Sequence, residues 1–237
     1  MDAAWHENFK CQVGATVLGV PNDGREPFNL DALARILDPH TDGFSGAFNV
    51  VNYIDNHDHN RIMWDLGEVA KTFDESAFRR VKLGAAILMT APGVPMLWMG
   101  QEFGFARPKS LGWDRLDWTL LNNEMNSDLL RRYRALIKLR TSTPALQGES
   151  GYEVICQDQE RCIFGYKRWD DQGGIVVVVA NLQGVYAGEV KIGNWPGDGK
   201  WHEYLYNYDV EVQGGILTDT LAESEVKIYI QPAMVGR

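Results

Sequence analysis

Behind a short apolar run, residues 51–61 read VNYIDNHDHNR and gather Asp55, Asn56, His57, Asp58, His59 and Arg61 within seven positions. Carboxylates and imidazoles so close together can move protons, hold sugar hydroxyls or ligate a metal. The same residues also make an ordinary polar turn, because Asn and Asp bond their own backbone two residues on. A second group, Gln101 and Glu102, follows the apolar run VPMLWMG. A metal loop would use His57 and His59, which an extended segment points to one face, with Asp55 or Asp65 as further ligands. No third histidine stands at a supporting spacing, and no metal or other cofactor is expected.

Such groups do chemistry only where a scaffold converges them. AFNVVNYI (47–54) has the β-branched and aromatic content of a strand. FDESAFRRVKLGAAILMT (73–90) reads as a helix: Asp74 caps it, Phe73 and Phe78 form a hydrophobic staple, and Phe78, Val81, Ala85 and Leu88 recur at helical spacing. Ala91-Pro92-Gly93 stops it. VPMLWMG (94–100) has the continuous apolar pattern of a strand buried on both faces. Further helices are expected over Leu30–Leu37, behind Asn29, and over about 127–142. The latter carries Leu129, Leu130, Tyr133, Leu136 and Ile137 on one stripe and ends before Pro144. Strands alternating with helices imply parallel pairing, and the carboxyl ends of such strands are where sites are built. Both polar clusters fall there.

Beyond Gly148 the helical period disappears. Six short runs (YEVICQ, RCIFGYKR, GIVVVVANL, YAGEVKIG, KWHEYLYN and EVKIYIQ) are separated by Gly, Asp and Asn, the spacing of a small β-sandwich. The Gly148–Gly151 stretch is the expected boundary, giving domains at 1–148 and 149–237.

Composition removes several classes. A net charge of −9 over 237 residues, with no basic patch, argues against nucleic acid. No apolar run reaches membrane-spanning length, and MDAAWHENFK does not read as a signal peptide. Cys11, Cys156 and Cys162 are odd in number and lack metal spacing, so reduced thiols in a cytoplasmic protein are expected. Of the eight tryptophans, most should pack in the core, although indole also stacks on sugar rings.

The motifs carry a family resemblance, in order along nearly the whole chain. NYIDNHD resembles the end of strand seven in the α-amylase superfamily barrel, and GVPMLWMGQEFG its strand eight and exit. DAAWHENF resembles the region after strand six. LDWTLL (116–121), RRYRALIKLRTSTPALQG and WHEYLYNYDVEVQGG (201–215) resemble the final helix region and β-domain of 1,4-α-glucan branching enzymes. The resemblance implies the C-terminal part of a (β/α)8 barrel, strands six to eight, followed by a C-terminal β-sandwich.

It further implies that Asp58 is the catalytic carboxylate that stabilises the oxocarbenium-like transition state of glycosidic cleavage. His57, Asn56 and Arg61 would contact the same sugar, with Gln101 and Glu102 beside them. Asn56 stands where branching enzymes usually carry Ser; the Asn form is commoner in amylases, so hydrolysis of α-1,4-glucan stays the alternative to branching. A non-catalytic glucan-binding protein is a second alternative. The nucleophile and acid/base of the family lie at strands four and five, which the matched segments do not include. A full barrel also needs about 250 residues. The chain is therefore expected to be inactive alone. Its open edges are expected to pair with a chain carrying the N-terminal half of the barrel, or otherwise with a second copy.

Overall fold

The computed structural model describes residues 2–22, 27–72, 74–112 and 115–231. The chain forms two compact units, Met1–Ile137 and Lys138–Arg237.

In the first unit, strands β1 (Ala4–Trp5), β2 (Val50–Asn52) and β3 (Val94–Pro95) form a parallel sheet in the order β1-β2-β3. The register pairs Trp5 with Val51 and Val51 with Val94, so the carboxyl ends of all three strands lie side by side. Helices α1 (Glu7–Leu18) and α2 (Leu30–Ile36) cross between β1 and β2; α3 (Ile62–Glu68) and α4 (Glu75–Thr90) cross between β2 and β3. Parallel neighbours need such long crossovers. α5 (Glu124–Ser142) follows, and the division between the two units falls within it. The Gly148–Gly151 stretch lies at the entry to the first strand of the second unit.

Local chemistry fixes these helices. Asn29 Oδ1 accepts from the Asp31 and Ala32 N–H groups at 2.8 and 3.0 Å, and Asp74 Oδ1 accepts from Ser76 N–H at 2.9 Å. The stripe Phe78, Val81, Ala85 and Leu88 is buried as its spacing requires. Phe73, the proposed staple partner, lies outside the described residues. α1 crosses α4 closely at Gly84, where a Cβ would stand 2.6 Å from Val17 Cγ2.

Two strand expectations are corrected. Of AFNVVNYI only Val50–Asn52 is extended in the sheet; Ala47–Asn49 is a 3₁₀ turn, and Tyr53 onward leaves the ladder. VPMLWMG is not a strand buried on both faces. Only Val94–Pro95 pairs, Val94 is 42% exposed and Met99 55% exposed. An apolar run signals what a segment prefers to bury, not that a neighbouring layer covers it.

The second unit holds β4 (Gly151–Asp158), β5 (Ile163–Trp169), β6 (Ile175–Asn181), β7 (Gly188–Ile192), β8 (Gly199–Glu203), β9 (Tyr208–Val212), β10 (Leu217–Leu221) and β11 (Val226–Ile230). Six form one sheet in the order β4-β5-β6-β11-β8-β9, while β7 and β10 pair antiparallel as a second. Ile155, Ile163, Val177 and Val179 of the large sheet share one core with Val190, Ile192, Leu217 and Leu221 of the small one. β6 sits between β5 and β11, and Val176–Ala180 is at most 1% exposed. One polar link joins the sheets inside: Asp219 of β10 accepts from the Tyr208 hydroxyl of β9 and, at 2.8 Å, from the Tyr229 hydroxyl of β11. Lys227 stands 3.2 Å from the same carboxylate. The runs KWHEYLYN and EVKIYIQ contribute β8 and β11; between them lie β9, YDVEV, within the quoted segment 201–215, and β10, LTDTL, which is apolar only at its two ends. All three cysteines are free.

Candidate active site

The three strand ends supply the site in turn. Past β1, His6 is 2% exposed, its Nδ1 lies 2.8 Å from Asn52 Oδ1 and its Nε2 lies 2.8 Å from Asp42 Oδ2. Asn52 Nδ2 donates to Pro92 O at 2.7 Å, so one amide braces β2 against both neighbours. Glu7, opening α1, accepts from the Tyr53 hydroxyl and stands 3.5 Å from His59 Nε2.

Past β2 the chain turns. The Asp58 N–H donates to Asn56 Oδ1 at 2.9 Å, an Asx turn that buries Asn56 and throws His57 and Asp58 outward. The polar turn is thus also the segment that presents His57 and Asp58 to solvent. The side chains of His57 and Asp58 are 56% and 59% exposed, with Nε2 and Oδ2 3.6 Å apart. The His57 ring lies between two tryptophans. Trp5 meets it edge-on at 5.4 Å between centroids, and Trp98 from past β3 at 5.8 Å.

Asp55 takes a different part. It is buried, its Oδ1 accepts from Ile62 N–H at 2.8 Å, and burial pushes its carboxyl up to about 7 despite that bond and nearby Arg61. It anchors the start of α3. Arg61 Nη1 donates to Met99 O at 2.7 Å, and its guanidinium lies 4.9 Å from the Phe105 ring and 5.8 Å from Trp98.

A cleft of about 210 Å³ opens here, lined by Asn56, His57, His59, Arg61, Trp98 and Met99 and, across from them, by Pro108–Ser110 and Gly112. That far wall is tied down: Lys109 N–H donates to Asn60 Oδ1 at 2.7 Å, and Arg61 N–H to Arg107 O at 3.4 Å. Of the residues expected at the site, Asn56, His57 and Arg61 line the cleft, and Asp58 stands exposed beside it. Gln101 and Glu102 are not among the cleft's lining residues. Gln101 is 2% exposed and donates to the Tyr133 hydroxyl of α5 at 2.8 Å, while Glu102 Oε2 accepts from Gly100 N–H at 2.7 Å. They fix the exit of β3. Trp5, Glu7, Trp98 and Lys109 join the neighbourhood through the tertiary fold; Trp5 and Glu7 lie in DAAWHENF and Trp98 in GVPMLWMGQEFG, segments the resemblance marked without singling these side chains out.

Among the described residues no group of three or more His, Cys, Asp and Glu could hold a metal ion. His57 and His59, the pair considered for a metal loop, face different acids, Asp58 and Glu7. No helix among the described residues is long and apolar enough to cross a membrane.

Comparison with known proteins agrees with this layout. The family described as alpha amylase, catalytic domain, matches residues 16–138. The 1,4-alpha-glucan branching enzyme GlgB of Nocardia farcinica is 31% identical over 173 residues, an alignment covering 69% of this chain and 23% of that protein. GlgB of Dechloromonas aromatica is 30% identical over 208 residues, covering 84% of this chain and 33% of that one. The chain thus spans about a quarter to a third of the length of these relatives. Among solved structures, AmyP in complex with maltose superposes with a TM-score of 0.76 at 16% identity, over 97% of this chain and 50% of that one. An Anoxybacillus alpha-amylase gives 0.73 at 19%, over 93% and 45%. At such identities the likeness is one of fold, that of a partial α/β barrel with a β-rich domain behind it. The strand-end cluster and the match over more than half the chain lead to one conclusion: the protein belongs to the α-amylase family.

Proposed function

We propose that the chain is the part of an α-glucan-active enzyme holding strands six to eight of the barrel, and that the whole enzyme branches α-1,4-linked glucan. Asp58 is then the carboxylate that hydrogen-bonds the ring hydroxyls as positive charge builds at the anomeric carbon. His57 holds the same sugar, and Trp5 and Trp98 offer faces on which a pyranose stacks. The observation that carries this reading is the outward pair His57-Asp58 set between two tryptophans at adjoining parallel strand ends. The branching-enzyme relatives favour branching; Asn56 is the feature that favours hydrolysis instead.

Glycosidic cleavage needs two further carboxylates placed across the bond. The family resemblance assigns them to barrel strands four and five, outside the matched segments. The 237-residue chain assayed by itself is therefore expected to hold glucan without turning it over. Phe48 and Val94, apolar and 62% and 42% exposed in this unit, fit cover by a chain bearing the remaining strands, or by a second copy.

The test is calorimetric titration with maltoheptaose alongside an amylose assay, with and without a polypeptide carrying the first five barrel strands. Binding that Asp58→Asn weakens, and turnover only in the mixture, is the expected result. Turnover of amylose by the chain alone above an Asp58→Ala control would sink the proposal.

A further inference from the structure

The cleft carries positive charge that binding of a neutral polysaccharide does not require. Arg61 and Lys109 line it beside His57 and His59, and among the described residues no Asp or Glu does, in a chain whose net charge is −9. Lys109 is exposed, and among the described residues no carboxylate pairs with it. Ser110 is beside it; Ser110 Oγ accepts from Gly112 N–H at 3.0 Å and keeps its own hydroxyl hydrogen for donation. The acids nearest the two imidazoles, Asp58 and Glu7, are not among the lining residues.

We infer that this cleft accepts a sugar bearing an oxyanion, namely a phosphate monoester on an α-glucan chain. The inference rests on the glucan reading above and specifies its substrate class. Trp98 supplies the face for the ring. Lys109 supplies a compact positive charge, and the Ser110 hydroxyl supplies a donor for a phosphate oxygen. Placement is not left to a floppy side chain. The bond from Lys109 N–H to Asn60 Oδ1 at 2.7 Å holds the loop against the same strand-end turn that presents His57.

The experiment titrates the 237-residue chain with phosphorylated maltooligosaccharides from starch, with unphosphorylated ones of equal length, and with inorganic phosphate. Tighter binding of the phosphorylated sugar by about tenfold is expected at low salt, shrinking as salt is added. Lys109→Gln should bring that ratio close to one, and Ser110→Ala should lower it in part. Equal affinity for both sugars overturns the inference while leaving the glucan reading standing. Lys109-dependent binding of phosphate with no binding of either sugar overturns the inference together with the glucan reading and leaves a bare anion site. No binding of any probe overturns both.

Discussion

The Asn52 carboxamide reaches both neighbouring strands: its Oδ1 faces His6 Nδ1 at 2.8 Å and its Nδ2 donates to Pro92 O at 2.7 Å. With only two or three residues per strand, backbone ladders alone hold this sheet weakly. A 1%-exposed amide that satisfies a partner on each side does what longer strands do elsewhere. Asn52→Leu should cost roughly 2 to 4 kcal/mol, since it strands the Pro92 carbonyl and one imidazole nitrogen without partners. Urea unfolding of the two proteins checks it; a cost below about 1 kcal/mol would mean water replaces the amide.

Gly93 sits directly against that amide. Its φ is +117°, and a Cβ there would stand 2.5 Å from Asn52 Nδ2 and 2.9 Å from Val50 Cγ2. Gly93→Ala combines a left-handed strain with a clash and should destabilise by about 3 kcal/mol or more. Gly173→Ala, also at positive φ but with nothing within 4 Å, isolates the strain part and should cost less.

Asp55 makes stability fall as pH rises. Its folded pKa is about 7, raised by burial, against about 3.9 in an unfolded chain. Between those values the folded protein holds a proton that the unfolded chain releases, so stability contributed below pH 4 is lost on the way to pH 7. Asp55→Asn keeps an acceptor for Ile62 N–H and removes the titration. Relative to the parent it should gain roughly 2 to 4 kcal/mol between pH 4.5 and 8, read from paired denaturation curves. A constant difference across that range would refute the assignment.

Asp219 slopes the other way. Burial works to raise its carboxyl, but hydrogen bonds from Tyr208 and Tyr229, helped by Thr220 N–H and Lys227, hold it below the usual carboxylate range. Its stabilisation is present above the unfolded value near 4 and is lost as pH falls through the lower folded one. The second unit should therefore loosen in acid. Asp219→Ala should bring that loosening to neutral pH, visible as a change in near-ultraviolet signal from Trp195 and Trp201, which pack in the same core.

Asp58→Asn separates function from folding. The side chain is 59% exposed, so stability should change by less than about 0.5 kcal/mol. Maltoheptaose affinity should fall by about tenfold or more as a charged acceptor is lost. Loss of stability equal to the loss of affinity would place Asp58 in the scaffold instead.

What sequence reveals follows from where each signal is stored. Asn29, Asp74 and the Phe78–Leu88 stripe act on neighbours within a turn or two, so the starts of α2 and α4 were legible. α1 was not, because it is buried almost all round: Lys10 is 3% exposed and Gly14 packs on Asn22. Such a helix has no polar face to set its period. β3 read as an interior strand because apolar content cannot report whether a covering layer is present. The polar turn at 55–61 was legible by residue type, whereas Gln101 and Glu102 drew notice by position and turn out to bond Tyr133 and Gly100 N–H. Trp5, Glu7 and Lys109 needed the sheet order and one loop bond to reach the same place.

The most hydrophobic strand of the second unit has a consequence for handling the protein. β6, IVVVVAN, is uncharged, β-branched, free of proline and covered along both edges by β5 and β11. That composition is the signature of a segment able to stack into cross-β fibrils once its edges are bare. Its interior place in the sheet order is therefore also its safeguard. Partial melting that parts β11, with β8 and β9, from β6 would bare one edge while β4, β5 and β6 stay paired. Heat inactivation should then be irreversible and steeper in protein concentration than simple unfolding, with seeds containing residues 175–181 shortening the lag.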